Sequence, residues 1–143
     1  MLGTSTRNYF ANGLPPSPQK ASVGDAMHPG VVTCRPGTSL RHLARIMAAG
    51  SIHAVVVEGY ADGYGIVSAL DVALAVRQDD DRTAGESAVG ALAVAPETRL
   101  LRAAQLMADS GMSHLVVVSD ESKELVGILS ALDIAAVWAW GLD

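Results

Sequence analysis

The feature that most constrains the fold is a stretch that occurs twice. "GIVSALDV" at residues 65–72 and "GILSALDI" at residues 127–134 share six of their eight residues, and the other two exchange one aliphatic side chain for another. The similarity extends to residues 33–76 and 93–138, with two single-residue insertions. One insertion falls at a predicted helix end and the other in a turn, where insertions disturb a fold least. The chain is therefore a tandem duplication, and each copy should fold in the same way.

Each copy carries the same pattern of apolar residues and breakers. Helical spacing predicts a helix with Thr38 or Thr98 as its N-cap and with Gly50 or Gly111 at its C-terminal end. The valine-rich runs "HAVVV" and "HLVVV" then predict a strand covered on both faces, followed by a turn, a strand at "GIV" or "GIL", and a closing helix. The predicted fold class is α/β (α+β), with two β-α-β-β-α repeats packed with pseudo-twofold symmetry, because one repeat cannot cover its own apolar faces.

The repeats set the predicted domain boundaries. Residues 22–78 form the first repeat and residues 87–143 the second. Residues 1–21, with "LPPSP", read as a flexible or peripherally docked N-terminal arm. Residues 79–86 read as a linker, and the acidic triplet that opens it favours a solvated connector over a metal site.

Composition indicates a folded protein and argues against several functions. Half of the 143 residues are hydrophobic and 17% are charged, which is typical of a globular chain. No apolar run reaches the roughly 18 residues of a membrane span, and the N-terminus does not resemble a secretory signal, so we expect a cytoplasmic location. A net charge of −5 with only two lysines disfavours nucleic acid as a partner.

Catalytic and metal-binding motifs are not found in the sequence. It contains no nucleophile elbow, P-loop or paired acid and base, so we expect no enzyme activity. The four histidines, at positions 28, 42, 53 and 114, show no metal-ligand spacing, and we expect no metal and no required cofactor. The single cysteine, Cys34, is expected to be a small buried side chain rather than a reactive thiol.

The doubled motif has two interpretations that the residues leave open. Asp71 and Asp133 can each cap a helix N-terminus, with Ser68 and Ser130 capping the ends of the preceding strands. The same groups also suit a nucleotide, because a carboxylate accepts hydrogen bonds from a vicinal diol and the helix N-terminus favours an anion.

With these residues in view, the chain resembles a CBS domain pair (cystathionine β-synthase domains, or Bateman module). The resemblance rests on the duplicated Gly-hydrophobic-x-Ser-x-x-Asp motif, on "MSHLVVV" and on "VGDAMHPGVVTCRPGTSL", and covers about residues 22–140. It implies a regulatory or sensor module that binds adenosine-type ligands (AMP, ADP, ATP or S-adenosylmethionine) in clefts between the repeats. It also implies a homodimer with helices at the interface and a regulated enzyme or transporter as a possible partner. The alternative is a ligand-free module for dimerisation or assembly.

The resemblance also assigns roles to particular residues. It places Asp71 and Asp133 on the ribose and Ser68 and Ser130 on a phosphate. In addition, the cleft of Asp133 would borrow Thr33, Cys34 and Ile52, whereas the cleft of Asp71 would borrow Val94, Met112 and Ser113.

Candidate phosphate contacts are few and unequal. His53 and His114 occupy positions where family members often carry a basic residue, although a packing role is an equal alternative. Arg35 is a further candidate, and its counterpart in the second repeat is Ala95. Leucines stand before both motif aspartates, where many family members have arginine or another polar residue, and this difference favours a ligand with little phosphate charge.

The last helix predicts an interface. Trp138 and Trp140 lie two residues apart, so they point in different directions and core packing does not account for both. We therefore expect one of them to contact a second subunit.

Overall fold

The computed structural model describes residue 10, residues 13–78 and residues 81–143. The predicted arm at 1–9 and 11–12, and Asp79 and Asp80 of the predicted linker, lie outside the described residues. In chain order the elements are α1 (Val23–Ala26), β1 (Thr33–Cys34), α2 (Leu40–Gly50), β2 (Ala54–Tyr60), β3 (Gly63–Ser68), α3 (Ala69–Val76), α4 (Ala84–Ser87), β4 (Val89–Gly90), β5 (Ala93–Val94), α5 (Leu100–Ser110), β6 (His114–Val118), β7 (Leu125–Ser130) and α6 (Ala131–Trp140). The predicted mixed fold of two related repeats is confirmed.

The chain divides into two compact units that are not consecutive halves. The inner unit is Val31–Leu92, and the outer unit joins Met1–Gly30 to Ala93–Asp143. Residues 22–30, the lead-in segment of the first repeat, therefore belong to the outer unit. Residues 83–92, the lead-in segment of the second repeat, belong to the inner unit.

The inner unit contains a four-stranded sheet in the order β1-β2-β3-β4. Strand β1 is parallel to β2, and the β2–β3 and β3–β4 pairs are antiparallel. Val55, Val56 and Val57 on β2 are fully buried, as their uninterrupted valine run predicts. Leu43 and Met47 of α2 pack with Val55 and Val57 to form the core of this unit.

The β2–β3 hairpin closes more tightly than predicted. Its two turn residues, Ala61 and Asp62, have φ of 46° and 64°. Positive φ at both central residues of a two-residue turn suits the right-handed twist of the flanking strands. The first strand therefore continues to Tyr60 and the second begins at Gly63, within the segment that was predicted to be a turn.

The outer unit contains a three-stranded sheet in the order β5-β6-β7. Its lead-in segment adds a short bridge beside β7, because His28 and Ile128 exchange two backbone hydrogen bonds of 2.9 and 3.0 Å. Leu100, Leu115 and Leu129 are fully buried in the core of this unit.

The described part of the N-terminal arm packs within the outer unit. The Ser17 N–H donates to the Leu142 carbonyl at 2.6 Å, and the Leu142 N–H donates to the Pro15 carbonyl at 2.8 Å. Phe10 meets the edge of Trp140, with the ring centroids 6.5 Å apart. In the part of the chain that the structure describes, no helix is long and apolar enough to cross a bilayer.

The helix ends differ in part from the prediction. Ser39 and Arg99, rather than Thr38 and Thr98, are the N-cap residues of α2 and α5. The Thr98 hydroxyl instead accepts a hydrogen bond from the Ala95 N–H at 3.1 Å, so it stabilises the turn before the helix.

Candidate functional site

The first motif forms a strand-to-helix junction between β3 and α3. Asp71 Oδ2 accepts hydrogen bonds from the Ser68 N–H at 2.7 Å and from the Ser68 hydroxyl at 3.0 Å. In return, the Asp71 N–H donates to the Ser68 hydroxyl oxygen at 3.2 Å. This reciprocal arrangement is a capping box, and it holds the carboxylate at the positive end of the helix dipole. Asp71 is half-buried, and among the described residues no partner is found for its Oδ1.

The second motif forms the same junction between β7 and α6. Asp133 Oδ2 accepts from the Ser130 N–H at 2.7 Å, and the Asp133 N–H donates to the Ser130 hydroxyl oxygen at 3.1 Å. Capping therefore occurs at both motifs, but the predicted roles are wrong: Ser68 and Ser130 are the helix N-caps, and each aspartate is the third helical residue of its capping box. The capping leaves open whether the remaining oxygen of each carboxylate binds a ligand.

The two carboxylates differ in their surroundings. The Asp133 side chain is 0% exposed, and its Oδ1 lies 2.6 Å from Nε2 of His28, whose side chain is 51% exposed. The hydrogen bond to Asp133 raises the pKa of His28 above its usual value, against the opposing effect of partial burial. The pair is therefore a charge-assisted hydrogen bond at the surface of the outer unit.

The inner unit has an apolar residue at the equivalent place. Val89 pairs with Ile66 on β3 just as His28 pairs with Ile128 on β7. Because the valine side chain has no hydrogen-bonding group, Val89 cannot bond to the Asp71 carboxylate as the His28 side chain bonds to Asp133.

The two predicted phosphate-contacting histidines lie beside the capping boxes. The His53 carbonyl accepts from the Ala69 N–H at 2.9 Å, and the exposed His53 side chain borders α3. His114 pairs with Ser130 in the β6–β7 ladder, and its Nδ1 lies 3.1 Å from the Ser113 hydroxyl. The two histidines are therefore not equivalent, contrary to their predicted alignment. The residue opposite Ser130 is His114 itself, whereas the residue opposite Ser68 is Ala54, one position after His53.

Other predicted contacts of the inner unit lie further along the sheet. Thr33 and Cys34 pair with Val56 and Val57, within the strands. The Arg35 guanidinium lies across Gly59, where an added Cβ would meet it at 3.0 Å. Gly59 is at the opposite end of the β2–β3 hairpin from Ser68, so within this unit Arg35 does not approach Asp71.

Cys34 is a half-buried thiol, more exposed than predicted. Burial raises its pKa, although a hydrogen bond with Thr38 opposes the shift. A raised pKa lowers the thiolate fraction, and the thiolate is the reactive species.

The remaining predicted residues divide between the units. Ile52 borders the groove beside His53 in the inner unit, whereas Val94, Met112 and Ser113 belong to the outer unit. The expectation that ligand clefts draw on residues of both repeats stays a prediction. In the described ranges, no group of three or more metal-ligating side chains is found.

Sequence reasoning missed His28 as a site residue. It is 105 positions from Asp133, and the two meet only because the lead-in segment of the first repeat packs on the second. The one signal in the sequence was the alignment of the two lead-in segments, in which His28 occupies the position that Val89 has in the second repeat.

Solved structures with this fold are numerous, and three illustrate the range. The chain is similar to a CBS domain protein from Pyrobaculum aerophilum complexed with AMP (25% identity, TM-score 0.69, covering 82% of this chain and 98% of that one). It is also similar to the CBS domain pair of protein MJ0100 in complex with 5′-methylthioadenosine and S-adenosyl-L-methionine (21% identity, TM-score 0.73, 83% and 96% covered). A third is the hexameric CBS-CP12 protein from bloom-forming cyanobacteria (25% identity, TM-score 0.72, covering 80% of this chain and 66% of that one).

The sequence itself places the chain in a family. No curated protein sequence matches it significantly. The family model described as "CBS domain" matches twice, at residues 23–78 and 90–139, and these two matches take in both capping boxes and most of each unit. The chain therefore belongs to the CBS domain family, as a tandem pair.

Proposed function

We propose that this chain is a regulatory module that binds an adenosine-type ligand and passes its occupancy on through a homodimer. CBS domain pair proteins are generally regulatory rather than catalytic. Similar structures contain AMP, or S-adenosyl-L-methionine with 5′-methylthioadenosine. A cytoplasmic location and a regulated enzyme or transporter stay predictions.

The observation that carries the proposal is the half-buried carboxylate of Asp71. The capping box fixes its Oδ2, so the carboxylate is held in one orientation before any ligand arrives. Its Oδ1 then remains to accept a hydrogen bond from a ribose hydroxyl. A carboxylate fixed in this way binds a diol without losing side-chain rotamer freedom, which would otherwise weaken binding.

The surrounding charges favour a ligand with few phosphates. Leu70 and Leu132, which precede the two motif aspartates, are 66% and 64% exposed and offer no positive charge. Within the inner unit, Arg35 lies at the far end of the hairpin from Asp71, and His53 is the basic side chain next to the capping box. We therefore expect AMP or S-adenosylmethionine to bind more tightly than ATP.

A thermal-shift experiment tests ligand binding. A ligand that binds only the folded chain stabilises it by about 2.7 kcal/mol at a concentration of 100 Kd. We expect millimolar AMP or S-adenosylmethionine to raise the melting temperature, and Asp71→Asn to remove most of that rise. His42→Gln is the matched control, because His42 is an exposed residue of α2 outside both motifs. If AMP, ATP and S-adenosylmethionine all leave the melting temperature unchanged, the ligand-free assembly module becomes the better account.

Exposed apolar side chains on α6 support the homodimer. Trp138 is 81% exposed and Leu132 is 64% exposed, whereas Ala136 and Val137 on the same helix are buried. A large exposed tryptophan beside other apolar residues is typical of a surface that another protein covers. The resemblance to CBS domain pairs implies a dimer with helices at its interface, and this favours a second copy of this chain as the protein that covers α6.

Light scattering tests the dimer. We expect the wild type to have twice the mass of one chain and Trp138→Ser to have the mass of one chain with unchanged circular dichroism. Trp140→Ser is the matched control, because Trp140 is only 37% exposed and packs on Phe10. A wild-type mass of one chain would contradict the dimer without touching the ligand proposal.

A further inference from the structure

The pair formed by His28 and Asp133 distinguishes the two motif carboxylates. Asp133 Oδ2 is used by the capping box, and its Oδ1 lies 2.6 Å from His28 Nε2. The Asp133 side chain is 0% exposed, so no face of it is open to solvent. In contrast, the equivalent Asp71 is half-buried and its partners are confined to the capping box in the described residues.

Backbone geometry holds His28 over Asp133. Two backbone hydrogen bonds tie His28 to Ile128, the second residue before the motif serine. Gly127 permits this close approach, because a Cβ there would lie 2.8 Å from the His28 carbonyl oxygen and 2.9 Å from the Met27 sulfur. His28 is therefore placed by the sheet and not by a flexible loop.

A ribose hydroxyl competes poorly with this contact. The bond between an imidazolium and a carboxylate is charge-assisted and roughly twice as strong as a bond between neutral groups. A diol would also have to displace the His28 side chain to reach a carboxylate that has no exposed surface. Asp71 imposes neither cost, since Val89 stands where His28 stands in the other unit.

We infer that His28 closes the second motif to ligand, so that the chain binds one adenosine-type ligand, at Asp71, and the identity of residues 28 and 89 decides which motif is open. The inference rests on the proposed function and adds a specificity-determining residue to it. It makes the duplicated motif functionally unequal: one copy binds and the other is a helix cap sealed by an ion pair.

Reciprocal substitutions between the two equivalent positions provide the experiment. Isothermal titration calorimetry with AMP measures the number of sites in the wild type, His28→Val, Val89→His and the double variant. We expect one site in the wild type, two in His28→Val and none in Val89→His. In the double variant we expect one site, and adding Asp133→Asn should remove it. Circular dichroism establishes that each variant is folded.

The possible outcomes separate this inference from the proposed function. Two sites in the wild type, or one site in both the wild type and His28→Val, would overturn the closure by His28 while the proposed function stands. Binding of AMP by His28→Val but not by the wild type would support the closure and contradict binding at Asp71. Failure of every variant to bind AMP would overturn both.

A second readout follows the contact without any ligand. NMR titration of the His28 ring should give a lower pKa in Asp133→Asn than in the wild type, because the hydrogen bond to the carboxylate is lost. An unchanged His28 titration would show that the ion pair does not form in solution, and the closure would fail with it.

Discussion

Removing the His28 side chain should destabilise the protein in a pH-dependent way. Loss of one partner from a fully buried ion pair costs about 3–5 kcal/mol, whereas an exposed pair contributes about 0–1 kcal/mol. Asp133 is 0% exposed and His28 is 51% exposed, so solvent screens the pair in part. We therefore expect His28→Val to lower the free energy of unfolding by about 1–2 kcal/mol at acidic pH, which is about 3–8 °C in melting temperature for a chain of this size.

The sign of the pH dependence follows from the direction of the pKa shift. The folded-state pKa of His28 is raised above the ordinary value of 6.5. The stabilisation by the charged pair is therefore complete below the unfolded-state value and is lost as the pH rises through the raised folded-state value. Melting curves of the wild type and His28→Val between pH 5.5 and pH 9, with His42→Gln as control, should show a gap that narrows as the pH rises. A gap that is constant or that widens with pH would refute the argument.

Three further predictions concern the fold and the sites. Leu43→Ala and Leu100→Ala each remove a fully buried side chain, one in each unit, and each should cost about 2–5 kcal/mol in urea unfolding; a cost below 1 kcal/mol would contradict the packing. Ser68→Ala removes the hydroxyl of the first capping box and should cost about 1 kcal/mol, with Ser87→Ala, at the last residue of α4, as the control; equal stabilities would contradict the cap. Cys34 should react with iodoacetamide at pH 7.5 more slowly than free cysteine, because its pKa is raised; a rate equal to or above that of free cysteine would contradict the burial.

The duplication made most of the fold predictable. Two aligned copies of one apolar pattern gave the order of strands and helices in both units, because burial of valine runs and helical stripes depends on local sequence. Helix ends were harder, since they depend on single contacts. Gly111 is the left-handed C-cap of α5, as predicted, with φ of 72°. Gly50 does lie at the C-terminal end of α2, as its last residue, but the left-handed cap that corresponds to Gly111 is Ser51, with φ of 52°. The predicted insertion at this helix end is therefore wrong, because α2 and α5 both have 11 residues.

The candidate site was predictable only where it is local. Ser68 and Asp71 are three residues apart, so their capping box follows from the spacing of the motif. The contact between His28 and Asp133 joins residues from opposite ends of the chain and depends on which unit receives each lead-in segment. No residue pattern within one repeat indicates that exchange, and the inequality of the two motifs could not be derived from their nearly identical sequences.

A crystal structure of the chain grown with AMP tests the central claim most directly. The account predicts one AMP per chain, with a ribose hydroxyl within about 2.6–3.0 Å of an Asp71 carboxylate oxygen and with His28 still bonded to Asp133. A ribose bound to Asp133, or AMP bound away from Asp71, would contradict it.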